Sequence, residues 1–149
     1  MAESVAAVTA KNHLSVFNPV GSGKLLIAGA IFVSFTMTAQ GTLTTPMRGF
    51  RTTAASGGTL VPDSDVCKFT TAHPDPVAEI RIDNPTCTLG PAIFSSPPGV
   101  ALRSSNTHQV DIPPGAGRFL LRPGEGIVLR QGVSTDDLFW NLSVVWAEV

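Results

Sequence analysis

The chain nowhere repeats apolar residues at helical spacing over eleven or more positions, while short stretches that alternate apolar and polar side chains recur from end to end. Alternation with a period of two is what a half-buried strand requires, because successive side chains point to opposite faces of a sheet. Residues 138–149 show it most clearly, with Trp140, Leu142, Val144 and Trp146 on one face and Asn141, Ser143 and Ala147 on the other. Residues 31–38 repeat it: Ile31, Val33, Phe35 and Met37 lie on one face, and Phe32, Ser34, Thr36 and Thr38 on the other. Gly29, just upstream, is a natural position for a β-bulge.

Turn chemistry punctuates these runs. A strand over 13–17 closes at Asn18-Pro19-Val20-Gly21-Ser22-Gly23, and one over 77–82, with Ile80 and Ile82 facing inward, ends at Asp83-Asn84-Pro85. The Thr-rich stretch 42–53 is β-prone and is interrupted by Pro46. Segments 92–94 and 100–103 flank Pro97-Pro98-Gly99, and 110–112 runs into Pro113-Pro114-Gly115. Near the end, 118–121 and 127–130 sit around Arg122-Pro123-Gly124-Glu125, where Pro sets φ and Gly supplies the positive φ of a type II turn. About eight antiparallel strands with closely spaced turns predict an all-β fold, a β-sandwich or, if wound as two Greek keys, a jelly roll. The expected organisation is an extended N-terminal arm over 1–11 and one sandwich domain over 12–149, with a long loop region at 54–76.

Residues 25–33 form an unbroken apolar run, and no charge stands between Lys24 and Arg48. A membrane helix needs about 20 mostly apolar residues, and here hydroxyls alternate in after Val33, so the run is read as a strand. No membrane association and no secretory leader is expected.

Composition narrows the function. Charged residues make up 14% of the 149, against about 25% in an ordinary soluble domain, while 43% are apolar and the net charge is −1. A disordered chain needs the opposite balance. A nucleic-acid binder needs clustered cations, and ten basic residues scattered among eleven acidic ones supply no cluster. A near-neutral, charge-poor surface favours association, which points to an assembly protein. Cys67 and Cys87 lack the spacing of a zinc site and are read as free, buried thiols.

No constellation carries chemistry. Gly21-Ser22-Gly23-Lys24 resembles a phosphate loop, but Asn18 and Leu25 stand where that loop needs Gly and Ser or Thr. It is read as a tight turn with a solvated Lys. His13, His73 and His108 have no ligand partner at short spacing. Asp63, Asp65 and Asp75 lack the Gly-x-Glu frame of a calcium loop. No nucleophile elbow is present, and Glu125, at a turn tip, is read as helping to cap that corner. Asn141-Leu142-Ser143 is a formal glycosylation acceptor inside a strand. Trp140 and Trp146 are read as core rather than as a sugar platform. No catalytic, cofactor-binding or metal-binding residue is assigned, and no cofactor is expected.

Two stretches, Phe17-Asn18-Pro19-Val20-Gly21-Ser22-Gly23-Lys24 and Leu121-Arg122-Pro123-Gly124-Glu125-Gly126-Ile127, together resemble those of tailed-bacteriophage head decoration, or cement, proteins with jelly-roll-like sandwiches. The resemblance implies a non-enzymatic virion protein on the outer surface of an icosahedral capsid. There it would bridge major capsid protein subunits, commonly as a homotrimer. A tail, fibre or baseplate component of such a virion, or a secreted ligand-binding sandwich, fits the same composition. The N-terminal arm is expected to add to a neighbour's sheet edge, and 54–76 is the first region in which to seek a partner contact.

Overall fold

The computed structural model describes residues 2–5, 10–37, 41–42, 46–95, 100–101, 106–110, 119–132 and 138–149. Their regular elements are all strands, apart from one 3-10 turn at Asp63–Asp65. In chain order the strands are β1 (Ala2–Val5), β2 (Lys11–Phe17), β3 (Leu26–Met37), β4 (Gly41–Thr42), β5 (Met47–Ser56), β6 (Thr59–Leu60), β7 (Glu79–Ile82), β8 (Thr86–Ser95), β9 (Val100–Ala101), β10 (Asn106–Val110), β11 (Phe119–Leu121), β12 (Gly126–Gln131) and β13 (Leu138–Glu148). The expected turns at 97–99 and 113–115 lie outside the described residues.

The pairing follows a mirror rule. β1 pairs β13, β2 pairs β12, β3 pairs β10, β4 pairs β9, β5 pairs β8 and β6 pairs β7, all antiparallel. The chain is thus one long hairpin folded at its middle, with residues 61–78 as the tip. Rolling that hairpin brings β13 onto β3, β12 onto β5 and β7 onto β2. The result is a sandwich of one sheet ordered β1-β13-β3-β10, with β11 also on β3, and another ordered β6-β7-β2-β12-β5-β8. This mirrored pairing joins strands far apart in sequence into an all-β sandwich. The N-terminal segment adds a strand, β1, to β13 of its own chain.

Alternation builds the core as the residues require. Leu26, Ala28, Ile31, Val33, Trp140 and Leu142 from one sheet meet Leu14, Val16, Met47, Ile80, Ile127 and Leu129 from the other. Two inward pairs of β3, 26/28 and 31/33, differ in parity, and Gly29 reconciles them. Val145 pairs Ala30 while Trp146 pairs Ala28, so Gly29 is the extra residue of a bulge.

Both faces of β2 are covered. Ser15 and Phe17 are buried although Leu14 and Val16 already fill the inner side. Three register shifts bend the β5/β8 pair and bring β8 against β2, with Cys87 lying on β8. Burial pushes its thiol pKa up. The expectation of two buried thiols is corrected: Cys67 is exposed on the tip loop and Cys87 is half-buried; both are free. The loop region is also shorter than 54–76. Residues 54–56 finish β5, and Gly57 and Gly58, both with positive φ, carry the hairpin on into β6.

Among the described residues no helix is long and apolar enough to cross a membrane.

Candidate interaction surface

One end of the sandwich gathers three connections and the end of β13. The rows Phe17–Gly126–Thr52 and Phe17–Glu79 place the turn after β2, the turn before β12 and the tip loop before β7 side by side. Leu26 pairs both Leu121 and Glu148. Leu25 and Val149 exchange backbone hydrogen bonds of 2.8 and 3.0 Å, which adds the end of β13. The two stretches that carry the decoration-protein resemblance therefore meet in space, 100 residues apart in sequence.

Asn18 joins them. Its backbone N–H donates to the Glu125 carbonyl at 2.9 Å, and its own carbonyl accepts from the Gly124 N–H at 2.8 Å. Its side-chain amide donates to the carbonyls of Lys24 at 2.8 Å and Leu121 at 2.9 Å. The Ser22 hydroxyl donates to its Oδ1 at 2.6 Å. Asn18 is fully buried, and each of its donor and acceptor groups has a partner. A buried polar network that is fully satisfied rigidifies what it connects.

Both turns have the geometry their residues dictate. Ser22 N–H reaches the Pro19 carbonyl at 3.2 Å with Gly21 at φ +83°, and Glu125 N–H reaches the Arg122 carbonyl at 2.9 Å with Gly124 at φ +87°. The Glu125 carboxylate accepts from the Arg122 N–H at 2.9 Å and lies 3.8 Å from Arg51 Nη1, the corner-capping role read from its position. Lys24 is exposed, as a tight turn with a solvated Lys implies.

The tip loop is held at both its stem and its neck. The Glu148 carboxylate accepts from the N–H groups of Val77 at 3.0 Å and Ala78 at 3.2 Å and from the Trp146 indole at 3.2 Å. Farther out, Lys68 pairs Asp75 at 2.5 Å, and the His73 N–H meets the Thr70 carbonyl at 3.2 Å. Phe69 nevertheless stands 84% exposed. So does Val20, also at 84%, with Val149 at 61% and Leu120 at 47%. Single exposed apolar residues are unremarkable; these four are carried by the elements that meet at this end.

The remaining candidates are dispersed. Asp63 and Asp65 are exposed in the 3-10 turn, and Asp75 is committed to Lys68. His73 is exposed on the tip loop and His108 lies on β10, while His13 is buried in the core. No group of three His, Cys, Asp or Glu among the described residues is placed to hold a metal ion. Trp140 is fully buried and Trp146 packs against the core; Asn141 lies within β13.

Sequence reasoning missed two polar assemblies. Asn18 was visible only as the start of a turn. The second sits between the sheets: Trp140 Nε1 donates to Gln131 Oε1 at 3.0 Å, and His13 Nε2 lies 3.1 Å from the same oxygen. An amide oxygen only accepts, so His13 carries its proton on Nε2. Its Nδ1 and the Gln131 amide nitrogen have no partner among the described residues. Burial lowers the His13 pKa to about 4. His13 was legible only as a strand residue, because nothing local signals its unpaired place in the bulge between the Leu14–Leu129 and Asn12–Arg130 pairs.

No protein-family model, curated protein or solved structure matches this chain.

Proposed function

We propose that this protein is a structural virion component that binds the outer surface of an icosahedral phage capsid and braces it by bridging major capsid protein subunits. The observation that carries this reading is the end of the sandwich locked by Asn18. Its two turns are fixed to each other by a saturated hydrogen-bond network, and Val20, Leu120 and Val149 stand exposed on and beside them. A rigid apolar end is suited to docking, because little conformational freedom is lost on contact. Several modest contacts per particle then add through effective concentration, and a ligand that prefers the assembled shell stabilises it by mass action.

The test is to add the purified protein to capsids that lack it, then image the particles and follow their thermal disruption. The expected result is density on the outer shell with the turn end inward, and a higher disruption temperature. Particles that stay bare would overturn the reading, and density confined to the tail would replace it with a tail role.

A further inference from the structure

A cationic row crosses one sheet at the end away from the paired turns. β2, β12, β5 and β8 bring Asn12, Arg130, Arg48 and Ser95 into register, each directly opposite the next. Opposed residues share a face, and Leu129 and Met47, the strand neighbours of Arg130 and Arg48, point into the core. The two arginines therefore stand side by side on the outer face, Arg48 exposed and Arg130 half-buried. Like charges directly opposite each other destabilise a sheet, and neither guanidinium has an ion-pair partner among the described residues. Arg81, on the same face through its pairing with Ser15, takes Glu79 at 3.1 Å. Asp83, exposed in the turn after β7, forms no ion pair among the described residues.

Arg130 is also held in position. Its Nη1 donates to Asn12 Oδ1 at 2.9 Å. Asn12 is buried, its side-chain amide donates to the Pro85 carbonyl at 2.8 Å, and its backbone N–H donates to Asn84 Oδ1 at 3.1 Å. One guanidinium donor is thus spent on fixing the group, and the others have no protein partner among the described residues. We propose that Arg48 and Arg130 form a binding site for a phosphate group. A phosphate carries close to two negative charges at neutral pH and cancels both cations, where a single carboxylate cancels one. Its oxygens also accept from two planar forks at once. The hold of Asn12 on Arg130 lowers the ordering cost of binding. Gly126, in the row at the turn end, and Arg130 are about 13 Å apart along β12, so this site is separate from the end assigned to the shell, and either can fail without the other.

Titration calorimetry at fixed ionic strength tests the site, with inorganic phosphate, a phosphoserine peptide and the same peptide unphosphorylated. Saturable binding of phosphate or of the phosphopeptide is expected, with none of the plain peptide. The tighter of the two shows whether free phosphate or a partner's phosphoryl group is the source. Arg48→Gln and Arg130→Gln are each expected to weaken binding about tenfold. Arg48→Lys should weaken it less, because an ammonium keeps the charge and loses the fork, and Lys24→Gln, a solvated cation at the turn end, should leave it unchanged. Arg48→Gln is also expected to raise the melting temperature in chloride and to remove the further rise that phosphate gives the parent, a combination that a misfolded variant would not show. The site is overturned by the absence of saturable phosphate binding, by an equal loss in Lys24→Gln, or by unchanged binding in both glutamine variants while they melt as folded proteins. Tighter binding of a DNA oligonucleotide, whose phosphates each carry one charge, overturns the choice of a doubly charged phosphate.

Discussion

Asn18 and the His13–Gln131–Trp140 group are both buried polar centres, and they differ in one respect. At Asn18 every donor and acceptor is used. At the second centre one oxygen serves two donors, while His13 Nδ1 and Gln131 Nε2 have no partner among the described residues. A satisfied network fixes geometry; a partly satisfied one links the two sheets at the cost of uncompensated desolvation. The molecule therefore places its rigidity at the turn end and its sensitivity in the middle of the core.

Four measurements would break or sharpen that contrast. The largest effect is expected from Asn18→Ala, which takes the amide donor from the carbonyls of Lys24 and Leu121 and the acceptor from Ser22, while the backbone bonds to Gly124 and Glu125 remain. Urea unfolding should show a loss of about 3–4 kcal/mol, and hydrogen exchange should show 18–25 and 122–125 opening before the core. A loss under 1 kcal/mol would remove the claim that this hub organises the end.

Acidification probes the other centre. The folded pKa of His13, about 4, lies below its unfolded 6.5, so between those values the unfolded chain binds a proton that the folded chain does not. Stability is complete above pH 6.5 and declines as pH falls toward 4, by up to about 3 kcal/mol. His13→Leu should flatten the decline in this window, and an unchanged slope would show that other groups cause it.

Gln131→Leu removes the acceptor shared by His13 Nε2 and Trp140 Nε1. A destabilisation of about 2 kcal/mol is expected in the same urea assay, with a changed Trp140 fluorescence. A neutral result would mean that the desolvation of Gln131 already cancels its bonds. The smallest effect belongs to Ser22→Ala, which takes one partner from Asn18 Oδ1 at the solvent boundary and should cost about 1 kcal/mol. A larger loss would show the Asn18 network to be more cooperative than its separate bonds.

Strand identity was largely legible because it is local. Trp140 and Leu142 face the core as their alternation predicts, Gly29 is the bulge, and the Pro123-Gly124 corner is a type II turn. The interaction surface was half legible. Its turns could be read, but not their meeting, since Asn18 and Leu121 are distant in sequence and their bond exists only after the hairpin is rolled. The loop expected over 54–76 was misplaced because Gly57 and Gly58 look like loop residues, whereas their positive φ here turns a hairpin that continues.

Composition and periodicity alone determined that the regular elements of the described residues are β and where several of them turn. These follow from the backbone preferences of single residues and from a period of two along each strand. The mirror pairing, the burial of both faces of β2, the saturation of Asn18 and the orphaned atoms beside His13 were decided by tertiary structure. Each depends on contacts between distant segments, and an isolated strand carries no record of which strand will cover it.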